Sequence, residues 1–309
     1  MVISSEQFSA LAAIPDLILK KEESLSQHTT MQVGGPAELF LLPESQPALA
    51  SAIKKLTDLN IPFNLLGEGS NIIPADAGIK GAIISTCRLT SCNIVRENRL
   101  VKAEAGIKMT DFCQQLAEAG LGGLEFASGI PGTLGGAIFM NAGAYGGEIK
   151  DHLQGVEVLN TAGKSHELSV EELELGYRSS LLQREKLFAV RATFKLKSKS
   201  PEKIKQRIAE LKERRWAKQP MNKPSSGSAF KRPPGHYAGK LIEEAGFKGF
   251  QLGGAKVSEK HAGFIINTGQ ATAQDIIRLM STIQKKVQEQ FGVLLEPEPR
   301  FIGEFDELP

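Results

Sequence analysis

Ser128-Gly129-Ile130-Pro131-Gly132-Thr133-Leu134-Gly135-Gly136 is the stretch on which the reading of this chain turns. It lies at the centre of a 28-residue window, 120–147, that holds ten of the chain's 31 glycines. A glycine lacks Cβ, so its amide can approach a bound group closely and its φ can turn positive. Ordinary tight turns need one or two glycines each. This density, followed by Asn141-Ala142-Gly143-Ala144-Tyr145, therefore favours a segment that wraps a large flat or anionic ligand.

A second glycine loop lies upstream. The apolar run 61–66 reads as a strand and ends in Gly67-Glu68-Gly69-Ser70-Asn71. Amides of a Gly-x-Gly turn, a Ser hydroxyl and an Asn amide suit pyrophosphate oxygens without a Lys or Arg. The common nucleotide motifs do not apply. The third glycine of the dinucleotide fingerprint would fall at Ile72, and Val158 stands where a P-loop ending in Gly163-Lys164-Ser165 needs its first glycine.

Taken in this order, the two loops resemble the vanillyl-alcohol-oxidase (PCMH) type of FAD domain. From His28 to Gly303 the chain resembles the bacterial UDP-N-acetylenolpyruvoylglucosamine reductase (MurB) family. The resemblance rests on His28-Thr29-Thr30, Val33-Gly34-Gly35-Pro36-Ala37, both glycine loops and Met140-Asn141-Ala142-Gly143-Ala144-Tyr145-Gly146. Four later pieces carry it too: Tyr177-Arg178-Ser179-Ser180, the segment from Pro224 through Gly227-Ser228 to Pro233, Lys260-His261-Ala262-Gly263-Phe264, and Glu296-Pro297-Glu298-Pro299-Arg300-Phe301. Arg178 and Lys218 are 40 residues apart, too few for the tyrosine-bearing loop of the longer class of these reductases, so the resemblance is to the short class.

The resemblance implies an α+β fold: an FAD-binding region over 1–198, with subdomains about 28–84 and 85–198, and a C-terminal α+β substrate-binding domain over 199–309. It implies an NADPH-dependent flavoprotein oxidoreductase of peptidoglycan precursor synthesis. Such an enzyme reduces the enolpyruvyl ether of UDP-N-acetylglucosamine enolpyruvate to the lactyl ether of UDP-N-acetylmuramate. The expected cofactor contacts are Gly67, Glu68, Gly69, Ser70 and Asn71 in the first loop and Ser128, Gly129, Ile130, Pro131, Gly132, Thr133, Gly135 and Gly136 in the second, with Asn141, Ala142 and Gly143 beyond it. Covalent members of the FAD superfamily use a His or Cys beside the first loop. Residues 65–73 contain neither, so FAD is expected to be noncovalent.

Composition agrees with a cytoplasmic enzyme without identifying one. At 309 residues and 41% hydrophobic content the chain is long enough for about two domains. A net charge of +2 implies no general attraction to nucleic acid or to anionic membrane. Cys87, Cys92 and Cys113 are sparse, odd in number and without metal-ligand spacing, which suits reduced thiols and no metal site. Pro15 and Asp16 interrupt the mild apolar segment 8–19, so neither a signal peptide nor a membrane span is expected. Oligomeric state is not encoded in any of these features.

Periodicity sketches the elements. Ser45 caps a helix with Pro47 in its first turn and Leu49, Ile53, Leu56 and Leu59 on one face. Strands are expected at 81–85 and 99–105, a helix at 110–119 stopped by Gly120, and a hairpin turn at Thr161-Ala162-Gly163-Lys164. Ser200-Pro201 opens a helix with Ile204, Ile208 and Leu211 inward, and Thr272 caps a last helix running to Phe291. The stretch 203–218 carries seven cations against Glu210 and Glu213. That pattern fits a solvated face, or, at Arg214 and Lys218, a grip on a diphosphate.

Reduction of an enolpyruvyl ether sets three demands. Hydride adds to the terminal carbon of the double bond, so negative charge develops on the adjacent carbon and its carboxylate. Arg178 suits that charge, because a guanidinium can grip a carboxylate bidentately; an arginine in a structural ion pair is the alternative. The resemblance assigns protonation of the carbon to Ser228, helped by Lys218 or Lys231, against an ordinary turn or cap serine. No Gly-x-Ser-x-Gly elbow surrounds Ser228, so a nucleophilic role is disfavoured.

Glu298 completes the matched catalytic set, donating a hydrogen bond or proton if it is neutral beside the substrate carboxylate. Glu296 would point to the opposite side of a local strand, and Arg300 to the same side as Glu298. Arg300 either contacts substrate or pairs with Glu298. Tyr145 and His261 are placed at the uridine, His261 being equally readable as a core or surface histidine. Pro299 removes a backbone donor, so an edge strand or bulge is expected there. Two other functions share these loops: a different flavin oxidoreductase, and a nucleotide-binding module without catalysis.

Overall fold

Two sheets and two hydrophobic clusters organise the first of the two units into which the chain divides, in a computed structural model that describes residues 3–309. That unit contains the chain up to Lys21, Leu39–Glu68 and Gly81–Arg214. Its four-stranded sheet has the order Leu17–Ser24, Pro36–Pro43, Ile79–Ser85, Phe63–Leu66. Helices α1 (Ser5–Ala12) and α2 (Gln46–Asp58) supply Leu11, Leu49, Ile53 and Leu56 to a cluster with Leu39, Leu41 and Ile84. The start of α2 is the one expected from sequence: Ser45 Oγ accepts the Ala48 N–H at 3.2 Å, and Pro47 sits in the first turn, where no N–H is needed.

The five-stranded sheet has the order Ser165–Ser169, Leu153–Leu159, Phe188–Lys195, Leu100–Glu104, Cys92–Val95, with every pairing antiparallel. Helices α3 (Met109–Glu118) and α4 (Leu134–Phe139) pack on it through Phe112, Leu116, Leu134 and Ile138, against Val101, Val156 and Phe194. Helix α5 (Pro201–Lys218) buries only Ile204 and Leu211, with Ile208 half-buried, so most of its cations are solvated. Of the expected diphosphate grip, Arg214 and Lys218 both stand on its exposed face.

The second unit comprises Glu22–Glu38, Gly69–Lys80 and Arg215–Pro309, so the division falls within α5, and two earlier segments join the C-terminal part. Its sheet runs Ser225–Ser228, Phe264–Asn267, Ala255–Val257, Gln251–Leu252, all antiparallel. Helices α6 (Ala238–Glu244) and α7 (Ala273–Phe291) close a core of Phe230, Ile242, Ile265, Ile276, Met280 and Ile283. Thr272 and Asp275 form a capping box on α7. Asp76 adds two acceptors for the Ala273 and Gln274 amides, at 2.8 and 3.0 Å, which fastens the 69–80 segment to this helix. A short parallel pair, Ile72–Pro74 with Arg300–Ile302, ties the same segment to the chain's last strand. Among the described residues no helix is long and apolar enough to cross a membrane.

Candidate active site

Within the first unit the start of the first glycine loop, Gly67 and Glu68, meets the second loop. Glu68 accepts the Gly132 N–H at 3.1 Å through one carboxylate oxygen, and its other oxygen lies 2.6 Å from Lys108 Nζ. That hydrogen bond and charge hold the Lys108 ammonium above its usual range. Gly67 sits so close to the second loop that a Cβ there would stand 2.3 Å from Thr133 Oγ1. Thr133 caps α4, accepting the Gly136 N–H at 3.4 Å. The Leu134 and Gly135 amides donate to Ile107 and Ala105 at 2.9 and 2.7 Å. Sheet and loop thus hold the glycine turn through the chain's own bonds, while a Cβ on Gly136 would meet only Thr133 Oγ1, at 3.7 Å.

This is a preformed cradle with one open glycine face, and it fits a dinucleotide cofactor held by main chain. Several residues expected at the cofactor are engaged with protein. Glu68 bridges the loops, and Ser128 Oγ donates to the Glu125 carbonyl at 2.8 Å. Glu125 itself is nearly buried: burial pushes its carboxyl up, but hydrogen bonds from Lys199 Nζ and Gly123 N–H, both at 2.7 Å, more than offset this and hold it below the usual range. Cys87, the cysteine nearest the first loop, has its thiol pushed up by burial, which makes it a poor nucleophile.

Arg178 occupies a tight turn. Gly176 and Ser179 exchange main-chain hydrogen bonds at 3.0 and 3.3 Å, and Arg178 has φ +53°, a left-handed conformation that is costly for a residue bearing Cβ. Asn141, buried and expected at the cofactor, instead donates to the Gly176 carbonyl at 3.0 Å and to Glu148 at 2.9 Å, and accepts the Lys150 N–H at 3.2 Å. The Lys150 ammonium, hydrogen-bonded to Glu148, and the charge of Arg178 help hold the Glu148 carboxyl below the usual range. Gln183, which the sequence reading passed over, donates to the Arg178 and Phe139 carbonyls at 3.0 and 2.7 Å.

Tyr145 occupies a second two-residue turn, between Gly143–Ala144 and Gly147–Glu148, with φ +53° followed by Gly146 at +86°. Its ring is 45% exposed at a 470 Å³ cavity shared with Lys203 and Arg207, and its hydroxyl donates to the Leu211 carbonyl at 3.5 Å.

In the second unit the Glu298 segment is hydrogen-bonded to the residue that follows Ser228. Ser228 ends a strand whose register slips by one residue between Ser225 and Ser228, opposite Ile266 and Phe264. Gly227 at φ +80° forms this bulge, and a bulge re-aims the side chain that follows it. Ala229 donates to Gly263 at 2.9 Å and accepts the Glu298 N–H at 3.1 Å, so Glu298 is hydrogen-bonded to the residue after Ser228. The Glu298 carbonyl accepts from Asn71 Nδ2 at 3.1 Å, and the Arg300 N–H donates to Asn71 O at 2.9 Å. The last residue of the first loop therefore holds the Glu298 segment in place.

Glu296 is exposed and pairs with Lys231 Nζ at 3.0 Å, which separates it from half-buried Glu298. Pro299 lies in a bend just ahead of Arg300–Ile302, whose partner is Ile72–Pro74, so its missing N–H costs the ladder nothing. Because that strand begins only at Arg300, the expected common strand face of Glu298 and Arg300 does not form. His261 packs edge-on to Phe264 with ring centroids 5.1 Å apart and accepts the Gly263 N–H on Nδ1 at 3.0 Å. Burial lowers its affinity for a proton, so its free ring position is a neutral Nε2–H donor. Thr30, in a matched segment but given no role from sequence, exchanges bonds with Ser225 at 2.7 and 3.1 Å and supports the start of the Ser228 strand.

A preformed main-chain cradle built from two glycine loops defines a class, an FAD-binding oxidoreductase. The FAD binding domain family matches residues 37–169, and the C-terminal domain of UDP-N-acetylenolpyruvoylglucosamine reductase matches residues 219–302. The UDP-N-acetylenolpyruvoylglucosamine reductase of Lachnoclostridium phytofermentans is 47% identical over 91% of this chain and 92% of its own length. That of Caldanaerobacter subterraneus subsp. tengcongensis is 48% identical over 91% and 93%. The crystal structure of the corresponding enzyme from Thermus caldophilus superposes with a TM-score of 0.77 at 35% identity, covering 93% of this chain and 99% of that one. The glucose dehydrogenase Phl p 4.0202 shares the fold alone, at 12% identity and a TM-score of 0.50 over 64% of this chain and 45% of its own. The chain belongs to the UDP-N-acetylenolpyruvoylglucosamine reductase family.

Proposed function

We propose that this chain reduces the enolpyruvyl ether of a UDP-N-acetylglucosamine derivative to a lactyl ether, with NADPH as reductant, in peptidoglycan precursor synthesis in the cytoplasm. FAD, held noncovalently across the two glycine loops and reduced by NADPH, would supply hydride for the terminal carbon of the double bond. Arg178 holds the substrate carboxylate and stabilises the negative charge that grows on it. Its left-handed turn is the kind of strain that persists where a side chain must be presented in one place.

Ser228 delivers the proton to the carbon next to the carboxylate, and Glu298, when protonated, donates a hydrogen bond or proton to the same group. The observation that carries this reading is the main-chain hydrogen bond between Glu298 and Ala229, which seats the glutamate beside the serine strand. Tyr145 is assigned to the substrate on its strained, exposed turn. The same substrate role at the diphosphate is assigned to Arg214 and Lys218, and at the uridine to the neutral donor of His261. Arg300 is assigned a contact to substrate.

The test is spectroscopic. Purified protein is expected to be yellow, to bleach anaerobically with NADPH, and to regain its colour with UDP-N-acetylglucosamine enolpyruvate while forming the lactyl ether. Bleaching by a hydroxy acid or sugar, with no re-oxidation by the enolpyruvyl substrate, would favour a different flavin oxidoreductase; colourless protein that binds nucleotide would favour a binding module.

A further inference from the structure

We propose that Gln183 is a positioning residue for the reduction: its side-chain amide sets the place of the Arg178 guanidinium relative to the second glycine loop. The inference rests on the role of Arg178 given above. Gln183 Nε2 donates to the Arg178 carbonyl at 3.0 Å and to the Phe139 carbonyl at 2.7 Å, and lies 3.8 Å from Met140 Sδ. Phe139 is the last residue of α4, and Ser180 Oγ donates to the same carbonyl at 2.7 Å. The other end of α4 is Thr133, in the middle of the glycine loop. A helix of six residues spans about 9 Å, so one short rigid rod runs from the loop to the carbonyl that Gln183 grips.

The need for such a grip follows from the turn itself. Arg178 stands at φ +53°, a conformation from which a residue with a Cβ relaxes unless its surroundings hold it. The Gly176 side of the turn is held by Asn141 Nδ2 at 3.0 Å. The Arg178 side is held by Gln183, and fixing that carbonyl restricts ψ of Arg178 and so the direction from which its side chain departs. One amide thus measures the separation between the Arg178 main chain and the end of α4. An apolar side chain of the same length would fill the space without measuring anything.

The experiment is a double-mutant cycle on the FAD-loaded enzyme, read as two half-reactions in stopped flow. Gln183→Met is expected to leave flavin content and bleaching by NADPH near wild type and to slow re-oxidation by the enolpyruvyl substrate by about 10 to 10² fold, the scale of a 1 Å misplacement. In an Arg178→Ala background the same change is expected to add no further slowing, because the group that it positions is gone. Equal slowing of re-oxidation in both backgrounds, or equal slowing of both half-reactions, overturns the proposal. If Arg178→Ala alone re-oxidises like wild type, the role of Arg178 fails first and the proposal with it, a result distinct from failure of Gln183 alone. Should Gln183→Met lose its flavin, Gln183→Asn keeps a polar amide in place but lacks a methylene of reach. The same cycle on that variant is expected to show the same dependence on Arg178, and its absence overturns the proposal.

Discussion

The side-chain amide of Asn71 donates to the main-chain carbonyl of Glu298 at 3.1 Å, across 227 residues of sequence. A loop that reads as a phosphate cradle therefore also fixes the segment carrying the proposed acid. The Arg300 N–H donates back to the Asn71 carbonyl, so main chain and side chain of Asn71 act on the two residues flanking Pro299. For Asn71→Leu, which removes the side-chain amide and leaves the main-chain bond from Arg300 in place, the expected outcome is a loss of about 1 kcal/mol of stability and slower flavin re-oxidation. Thermal unfolding and stopped-flow absorbance check this, and unchanged re-oxidation would separate Asn71 from Glu298.

The bulge at Gly227 leads to a second expectation. A Cβ there meets nothing within 4 Å, so Gly227→Ala tests backbone conformation alone. Holding alanine at φ +80° costs about 1 to 2 kcal/mol. If the strand instead relaxes, Ser228 is re-aimed and the proton-transfer step slows. Thermal unfolding and the re-oxidation rate are expected to show one loss or the other, and a variant with both at wild-type values would remove the bulge from the account.

Flavin attachment is expected to be noncovalent. Heat or acid should release all of it, because 65–73 holds no His or Cys and the thiol of Cys87 is pushed away from the reactive thiolate. Colour left on the denatured chain after precipitation would contradict this.

The ion pair between the Glu125 carboxylate and the exposed Lys199 ammonium is expected to make stability sensitive to acid. The folded carboxyl titrates below its ordinary value of 4.5, so the folded state gains stability from this group above that value. The gain is lost as pH falls from about 4.5 through the lowered folded value. Lys199 is partly solvated, so Lys199→Met is expected to cost about 1 kcal/mol at neutral pH. It should also flatten the acid side of the stability profile, and if the pair supports the second loop it should weaken FAD retention. Thermal melts from pH 7 to pH 3, followed by flavin fluorescence, measure both effects.

Much of this architecture is legible because it is local. Ser45 with Pro47, and Thr272 with the apolar period through Val287, specify α2 and α7 within a few residues, and Gly163 marks the hairpin turn. The density of glycine at 120–147 likewise announces the cradle. The partners are not local. Glu68 reaches 64 residues to Gly132, Asn141 reaches 35 to Gly176, and Gln183 reaches 44 back to Phe139. Glu68 and Asn141 look like ligand contacts in the sequence because their protein partners arrive only on folding, and Gln183 carries no signal there for the same reason. The same holds for the segments Glu22–Glu38 and Gly69–Lys80, which join the second unit through pairings such as Asp76 with α7 that no periodicity encodes.

The central claim is that Ser228 delivers a proton to carbon, and Ser228→Ala tests it most directly. Only re-oxidation needs that proton, so bleaching by NADPH should stay close to wild type. Re-oxidation by the enolpyruvyl substrate should slow by about 10² to 10⁴ fold, the usual effect of removing a positioned general acid. A serine that only shapes the strand would disturb flavin binding and both half-reactions alike. Stopped-flow absorbance at the flavin band on wild type and variant decides between them: slowing confined to re-oxidation is the predicted result, and equal slowing of both steps, or of neither, contradicts the account.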